Sequence, residues 1–546
     1  MKNIIYVCLL SLCLALTGCG AFIPDTSTDT DSASPETPDI SLDTSLPEDE
    51  IEPSYSGVLT IATRKPTTLN PILNPDTSVD QMLRLVFEPL FNIDDNFNLV
   101  PNLATSYEAA PDGLSAVITL NASALWSDGT PVTSSDFIFT VQAIKNSPDG
   151  SIYKTNADNI LSCEEIDNST VQITFGNFYG AMKYMFTFPL IPAHYYAGET
   201  DPASAANMQP LGNGAYEFTS YEDLKEITFS ASNSGKKPYI QEIKALILPD
   251  AETELDAFNS GIIDVLSIDF AKWSKTRSGK TVKAYQYNTT LYDFVGFNFN
   301  NFNLKNKNLR EVVARCIDKD SLIVNAYLGS ALKTNTPVNS GAWFYNPAAA
   351  EYTLDLAKAE SLLYDGGFTK EQTGIYAPTE SGGSNQLRLR LLVNTENDER
   401  VKIADNLKEN LNSLGIVVDY EKLTFEEYSQ KLTAKDFDIV VGGFNLAVCP
   451  DLTFAFHSLG TAGGGNFFSY ASPELDEALQ KAFLASDDTA FNTAISEVQR
   501  HITEELAAVS VAYRKNACLT DEGVYGDILP MVNNMYANIE KWYVGE

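Results

Sequence analysis

The hydrophobic pattern divides the chain into short strands and amphipathic helices in irregular alternation. Residues 57–65, "GVLTIATRK", read as a strand that runs into the turn-rich "PTTLNP". "LSAVITLN" alternates like a half-buried strand and leads into "ALWSDGTPVTSSDFIFTVQAIK". There Asp128-Gly129 marks a tight turn. Thr133, with Asp136 three positions on, predicts a capping-box helix start, with Phe137, Val141 and Ile144 on one face. Further on, "NLREVVARCIDKDSLIVNAYLG" predicts a helix, a break and a second helix. "TLDLAKAESLLYDGGF" predicts a helix capped by Thr353 and stopped at Gly366, with Leu356, Ala359, Leu362 and Leu363 in phase. "VKIADNLKENLNSLG" repeats that pattern with Ile403, Leu407, Leu411 and Leu414, and with Gly415 as its stop.

A strand, "IVVDYEKL", follows at once. "FDIVV", from Phe437, is an apolar run expected to end at Gly442 and Gly443, before Phe444 and Asn445. Helix, glycine and strand in that order form an α/β unit, and the continuous apolar runs predict a sheet covered on both faces. Paired glycines at a strand end fit either a turn or the close approach of another backbone. No internal repeat is found.

Composition adds bounds. The chain has 546 residues, 44% hydrophobic and 20% charged, a globular balance long enough for two or three subdomains. Its net charge of -35 argues against nucleic acid or an anionic lipid surface as a partner. The first residues, "MKNIIYVCLLSLCLALTGC", carry Lys2, an apolar core over 4–16, and then Thr17-Gly18-Cys19. The core is too short to span a bilayer and has the layout of an export signal. A small residue before cysteine after such a core resembles the bacterial lipobox. That resemblance implies a signal peptide over 1–18 and lipid on Cys19, anchoring the protein on the extracytoplasmic face of the cell membrane. Residues 20–56 are rich in Ser, Thr, Asp and Pro without Lys or Arg, so 19–56 is expected to be a lipidated cysteine followed by a disordered acidic tether. Such a tether reaches at least roughly 30 Å.

Catalytic chemistry leaves little trace. There are three histidines, His194, His457 and His501, and no HExxH, GxSxG or GxxxxGK[ST] motif. "GTAGGGN", over 460–466, is glycine-rich but opens no helix, so it reads as a flexible loop. Cys163, Cys316, Cys449 and Cys518 form no CxxC pair and are expected to be free, buried thiols. No catalytic residue, metal ligand or cofactor is assigned, and the chain is not expected to be an enzyme.

Binding remains, and here several segments agree in order with one family. "LWSDGTPVTSSDFIFT" closely resembles the signature of family 5 extracellular solute-binding proteins, the oligopeptide, dipeptide and nickel receptors of ABC importers. "LVFEPLFNIDDNFNLVPNLATSYE", "PLGNGAYEFTSY", "FNFNNFNLKNKNLREVVARCIDKDSLI" and "YASPELDEALQKA" resemble further family segments, so the similarity runs from residue 57 to the end. It implies an α/β, two-lobed periplasmic-binding-protein fold of type II, cluster C. The first lobe would span 57–290 with an inserted subdomain near 95–190, the second 291–508, and 509–546 would return to the first. Crossings are expected near 285–295 and 505–515, with hinge closure on the ligand. Trp126, Asp128 and Gly129 are expected to fix a turn and a packing joint.

The resemblance also implies a site. An oligopeptide would lie extended between the lobes, held by its main chain, and would pass to a permease driven by separate ATPase subunits. A monomer is expected. Contacts would come from Asn74, Asp76 and Thr77, and from Gly443, Phe444 and Asn445, the glycines leaving clearance for the ligand backbone. Peptide receptors carry an Asp three residues after that aromatic, paired with the ligand's α-ammonium; here the position is Ala447. Asp451 would supply the charge after a register shift, or Asp76 from the facing lobe, or the ligand has no free amino terminus. The alternative solutes are an oligosaccharide, on platforms such as Trp273 and Trp343, and a nickel chelate.

Overall fold

The computed structural model describes residues 52–545 apart from 233–235, 270–281 and 463. The signal segment, Cys19, the tether up to residue 51, and Trp273 lie outside the described residues. Among those described, no helix is long and apolar enough to cross a membrane.

Strands of the first part of the chain build two small sheets over one core. Val58–Thr63 pairs in parallel with Glu242–Ile247, which continues antiparallel to Glu226–Ala231 and Tyr216–Glu222. A separate antiparallel sheet joins Ala104–Ala109, Ser115–Leu120, Thr170–Phe175 and Ile160–Asp167. The helix Ser134–Asn146 covers it, with the expected capping box at Thr133 and with Phe137, Val141 and Ile144 buried. The buried Trp126 donates its indole N–H to Asp136 (3.2 Å), and Gly129 turns at φ +86°. This core runs from Leu59 to Val265 and takes in Cys518 to Trp542 from the end of the chain.

The second body is organised by a larger sheet. Its order among the described residues is Val265–Asp269, Ala508–Asp521, Val282–Phe297, Ile439–Asn445, Arg388–Asn394, Val417–Leu423, with Ala331–Lys333 beside Ala508–Asp521. Arg388–Asn394 pairs in parallel with both of its neighbours. Alternate residues enter different cores: Ile439 and Val441 pack on one face with Ile403, Leu407 and Leu411, and Val440 on the other with Phe294 and Phe437. The continuous apolar run is therefore explained by burial on two sides.

The chain passes between the two sets of cores twice, in the long paired strands Val282–Phe297 and Ala508–Asp521. Their pairing is regular from Val282↔Asp521 to Asn288↔Lys515 and shifts register before resuming at Tyr292↔Tyr513. Along the second crossing strand the chain thus enters the first body's core at Cys518, while Val509, Val511 and Ala512 still pack in the second.

Two local expectations are corrected. The helix after residue 353 runs Leu356–Asp365, and its cap is Asp355, whose carboxylate accepts from the Lys358 amide at 2.8 Å; Thr353 lies outside it. A carboxylate next to the first turn reaches the orphan amides that a hydroxyl two residues earlier does not. Gly366 is the C-cap, but the left-handed residue is Gly367 at φ +84°. The second correction is that the "FDIVVGG" strand does not end at its glycines. It runs Ile439–Asn445 because Val282–Phe297 lies beside it as far as Leu291↔Asn445, so ladder pairing outweighs the poor strand propensity of glycine.

Candidate functional site

A narrow cleft, with a free volume of about 10 Å³ that has room for about one water, lies at the end of the Ile439–Asn445 strand. It is lined by Thr289 and Thr290 of a crossing strand, Asn339 and Phe344, Tyr513, the loop residues Ala447, Val448 and Pro450, and Phe97, which the first part of the chain sends into the second body's core. The polar side chains of this lining are already engaged. Thr289 donates to the Arg514 carbonyl (2.7 Å), Thr290 to Asn445 Oδ1 (2.7 Å), Asn339 to the Thr289 carbonyl (3.1 Å) and Tyr513 to the Pro337 carbonyl (3.1 Å). No carboxylate, ammonium or guanidinium is among them. The loop leaves main-chain groups free: among the described residues, the amides of Ala447, Val448 and Cys449 have no hydrogen-bond partner, whereas Leu446 donates to the Thr290 carbonyl at 3.0 Å.

Beside the cleft, on the other face of the same strands, lies a charge cluster. Asp293 is fully buried and accepts from Arg400 Nε (2.8 Å), Arg514 Nε (2.7 Å) and the Tyr327 hydroxyl (2.8 Å). Arg514 is held further by Glu399 (2.9 Å) and Asn397 (2.6 Å). Burial alone pushes the Asp293 carboxyl up, but the Arg400 and Arg514 guanidiniums outweigh it and hold the group below its ordinary range. The cluster ties both crossing strands to the start of the helix Asp398–Ser413. It explains the glycine: a Cβ on Gly443 would lie 2.6 Å from both Asp293 Oδ1 and the Tyr292 carbonyl, with Arg400 nearer still. At Gly442 the neighbour is the Tyr428 hydroxyl, at 2.9 Å. The side-chain space at both glycines is filled by the protein's own groups, so clearance for a ligand does not account for them.

The predicted residues separate into two places. Asn74 and Asp76 form the start of the helix Thr77–Leu83: Asp76 accepts from the Ser78 (2.8 Å) and Val79 (3.1 Å) amides, and Asn74 donates to the Asp76 carbonyl (2.7 Å). Thr77 is the exposed first residue of that helix. None of these bonds reaches the 443–451 segment. Phe444 is half-buried, its ring against Phe294 (centroids 4.8 Å) and Phe454 (5.1 Å), and Asn445 is exposed. Ala447 lines the cleft. Asp451 is exposed and accepts from the Thr453 amide (2.9 Å) in a local turn; the N-cap of the short helix Thr453–Phe456 is Leu452. His457, near the same loop, accepts from the Leu459 amide through Nδ1 (3.1 Å).

Sequence reasoning passed over Phe97, Thr289, Thr290, Asn339, Phe344 and Tyr513, as well as the Asp293 cluster. For the cluster a signal existed. Asp293 in "LYDFVGF" and Arg514 in "VSVAYRKN" are charges inside apolar strand patterns, and buried charges need partners. The four cysteines beyond residue 52 are all unpaired; Cys316, Cys449 and Cys518 are buried as expected, whereas Cys163 is only half-buried, and burial pushes the Cys449 thiol up to about 12. No cluster of metal-ligating side chains occurs among the described residues.

Comparison with known proteins places this geometry. Residues 98–466 match the family described as bacterial extracellular solute-binding proteins, family 5 Middle. The chain is 22% identical over 515 residues to the oligopeptide-binding protein AppA of Bacillus subtilis, covering 91% of this chain and 93% of that one. Among solved structures it resembles CtaP, an ABC transporter substrate binding protein of Listeria monocytogenes. That match has a TM-score of 0.74 and 23% identity over 90% of this chain and 100% of that one. It also resembles AppA from Bacillus subtilis in complex with a nonapeptide, with a TM-score of 0.60 and 20% identity over 91% and 100% of the two chains. These likenesses establish the two-lobed type II fold. The chain belongs to the family 5 bacterial extracellular solute-binding proteins, and is the non-enzymatic substrate-binding component of an ABC importer.

Proposed function

We propose that this receptor captures oligopeptides in the cleft between its lobes and hands them to an ABC permease, while lipid on Cys19 keeps it at the extracytoplasmic face of the membrane. The lobes in this reading are 57–290, with its insertion near 95–190, and 291–508, with 509–546 returning to the first. The observation that carries the reading is the free main chain at the cleft. The amides of Ala447, Val448 and Cys449 have no partner among the described residues, and they adjoin a lining without charge. A peptide added there as a strand would offer carbonyls to those amides whatever its side chains, which gives affinity without sequence choice. The relatives support the class of ligand, AppA being an oligopeptide-binding protein with a nonapeptide complex.

In this reading Gly443, Phe444 and Asn445 form the wall that carries the loop. Asn74, Asp76 and Thr77 act by holding a helix start, and Asp451 by fixing the turn at the loop's end through the Thr453 amide. Ala447 then meets the ligand's amino-terminal region without a carboxylate, and an ammonium buried there unpaired would cost several kcal/mol. The ligands preferred at this position are therefore peptides whose amino group is blocked or lies outside the cleft. The test is calorimetric titration of the unfolded, stripped and refolded protein with a peptide pool, against oligosaccharide and nickel-chelate panels. Saturable heat from peptides alone is expected. Binding of a sugar or chelate with no peptide binding would overturn the reading.

A further inference from the structure

The two bodies also meet away from the crossing strands, at a seam that reaches the edge of the cleft at Phe97. On the first body, the 179–184 segment follows the strand Thr170–Phe175. On the second lie Trp343 and the turn between the helices Pro473–Phe483 and Asp488–Glu504. The Gly180 amide donates to the Phe483 carbonyl at 2.7 Å, satisfying a carbonyl that the end of its helix leaves open. The Tyr179 ring stacks on Phe483, with centroids 5.7 Å apart. Lys183 pairs with Asp488 at 2.5 Å. The Tyr184 hydroxyl donates to the Phe97 carbonyl (2.9 Å) and accepts from the Trp343 indole (3.1 Å).

We infer that this seam is a latch: it holds the lobes together in the arrangement seen here independently of ligand, and so sets the fraction of empty receptor whose lobes are drawn together rather than parted. Gly180 is its key. A Cβ there would stand 2.6 Å from the Ala485 carbonyl, a backbone atom across the seam, while Gly180 does not adopt a left-handed conformation that would itself demand glycine. Alanine is thus compatible with the first body alone and incompatible with the seam. The Lys183–Asp488 pair adds a salt-sensitive part, because Asp488 is largely exposed and ions screen such pairs. A receptor with more of its population in the binding-competent form binds tighter in proportion to that fraction.

The test uses the ligand-stripped protein without its lipid and needs no ligand identity. Small-angle X-ray scattering would follow the radius of gyration of wild type, Gly180→Ala and Lys183→Gln across sodium chloride from low to high concentration. Gly180→Ala should expand the molecule, with the ratio of drawn-together to parted lobes falling at least tenfold and circular dichroism unchanged. Lys183→Gln should lower the ratio about two- to fivefold and remove most of its salt dependence. Profiles of Lys183→Gln that superimpose on those of wild type at every salt concentration would overturn the salt-sensitive part. Profiles of a folded Gly180→Ala that superimpose as well would overturn the latch.

Discussion

Replacing Asp293 with asparagine should be among the most damaging single changes available outside the apolar cores. The carboxylate is wholly buried and accepts from Arg400, from Arg514 through two nitrogens, and from Tyr327. Asparagine keeps one acceptor oxygen but turns a donor toward a guanidinium, and leaves Arg400 and Arg514 without their shared counter-charge. Removing one partner of a buried ion pair costs about 3–5 kcal/mol. Arg514 keeps Glu399 at 2.9 Å, which holds the expected loss inside that range rather than above it. Urea unfolding of wild type and Asp293→Asn, followed by circular dichroism at pH 7, measures the difference. The dependence on pH has a definite sign. The folded carboxyl titrates below its unfolded value of about 3.9, so its contribution is complete above that pH and is lost as pH falls through the lower, folded value. The two proteins should therefore converge only in acid. A loss under about 1 kcal/mol at pH 7, or a gap that does not narrow in acid, would refute the assignment of Asp293 as the counter-charge joining the crossing strands.

Other substitutions probe separate features. Gly443→Ala should cost about 1–3 kcal/mol in the same assay, because its Cβ meets the Tyr292 carbonyl at 2.6 Å; full stability would show that the strand yields freely. Asp136→Ala strips acceptors from the Trp126 indole and from the Thr133 and Ala193 amides, and should lower stability by about 2–4 kcal/mol; a loss below 1 kcal/mol would contradict the packing joint. Burial lowers the Lys319 ammonium from 10.5 to about 8, so the unfolded chain binds the extra proton between those values. Stability relative to Lys319→Met should rise by up to about 3 kcal/mol from pH 8 to 10.5 and be level below pH 8, and parallel pH curves would count against it. Ala447→Asp should raise affinity for free-amine peptides at least tenfold over their N-acetylated forms, measured by calorimetric competition; an unchanged ratio would remove Ala447 from the ligand's amino-terminal region.

What the sequence determined by itself is what is local. The capping box at Thr133, the buried face of Phe137, Val141 and Ile144, and the stop at Gly415 depend on neighbours a few residues away, and each is found as expected. The two-sided sheet was legible because burial on both faces writes itself as an unbroken apolar run. The cap at Asp355 was missed by two residues because Thr353 and Asp355 are both capping residue types, and only the backbone path shows which one adjoins the first turn. Tertiary structure alone decided the rest. Arg400 and Arg514 lie 107 and 221 residues from the carboxylate they share, and no local pattern encodes such a pairing. The glycines at 442 and 443 answer to that cluster and to Tyr428, a demand set by packing in space. Phe97, more than 300 residues before Ala447, reaches the same cleft only because two paired strands bring the bodies together, a juxtaposition that no local pattern encodes.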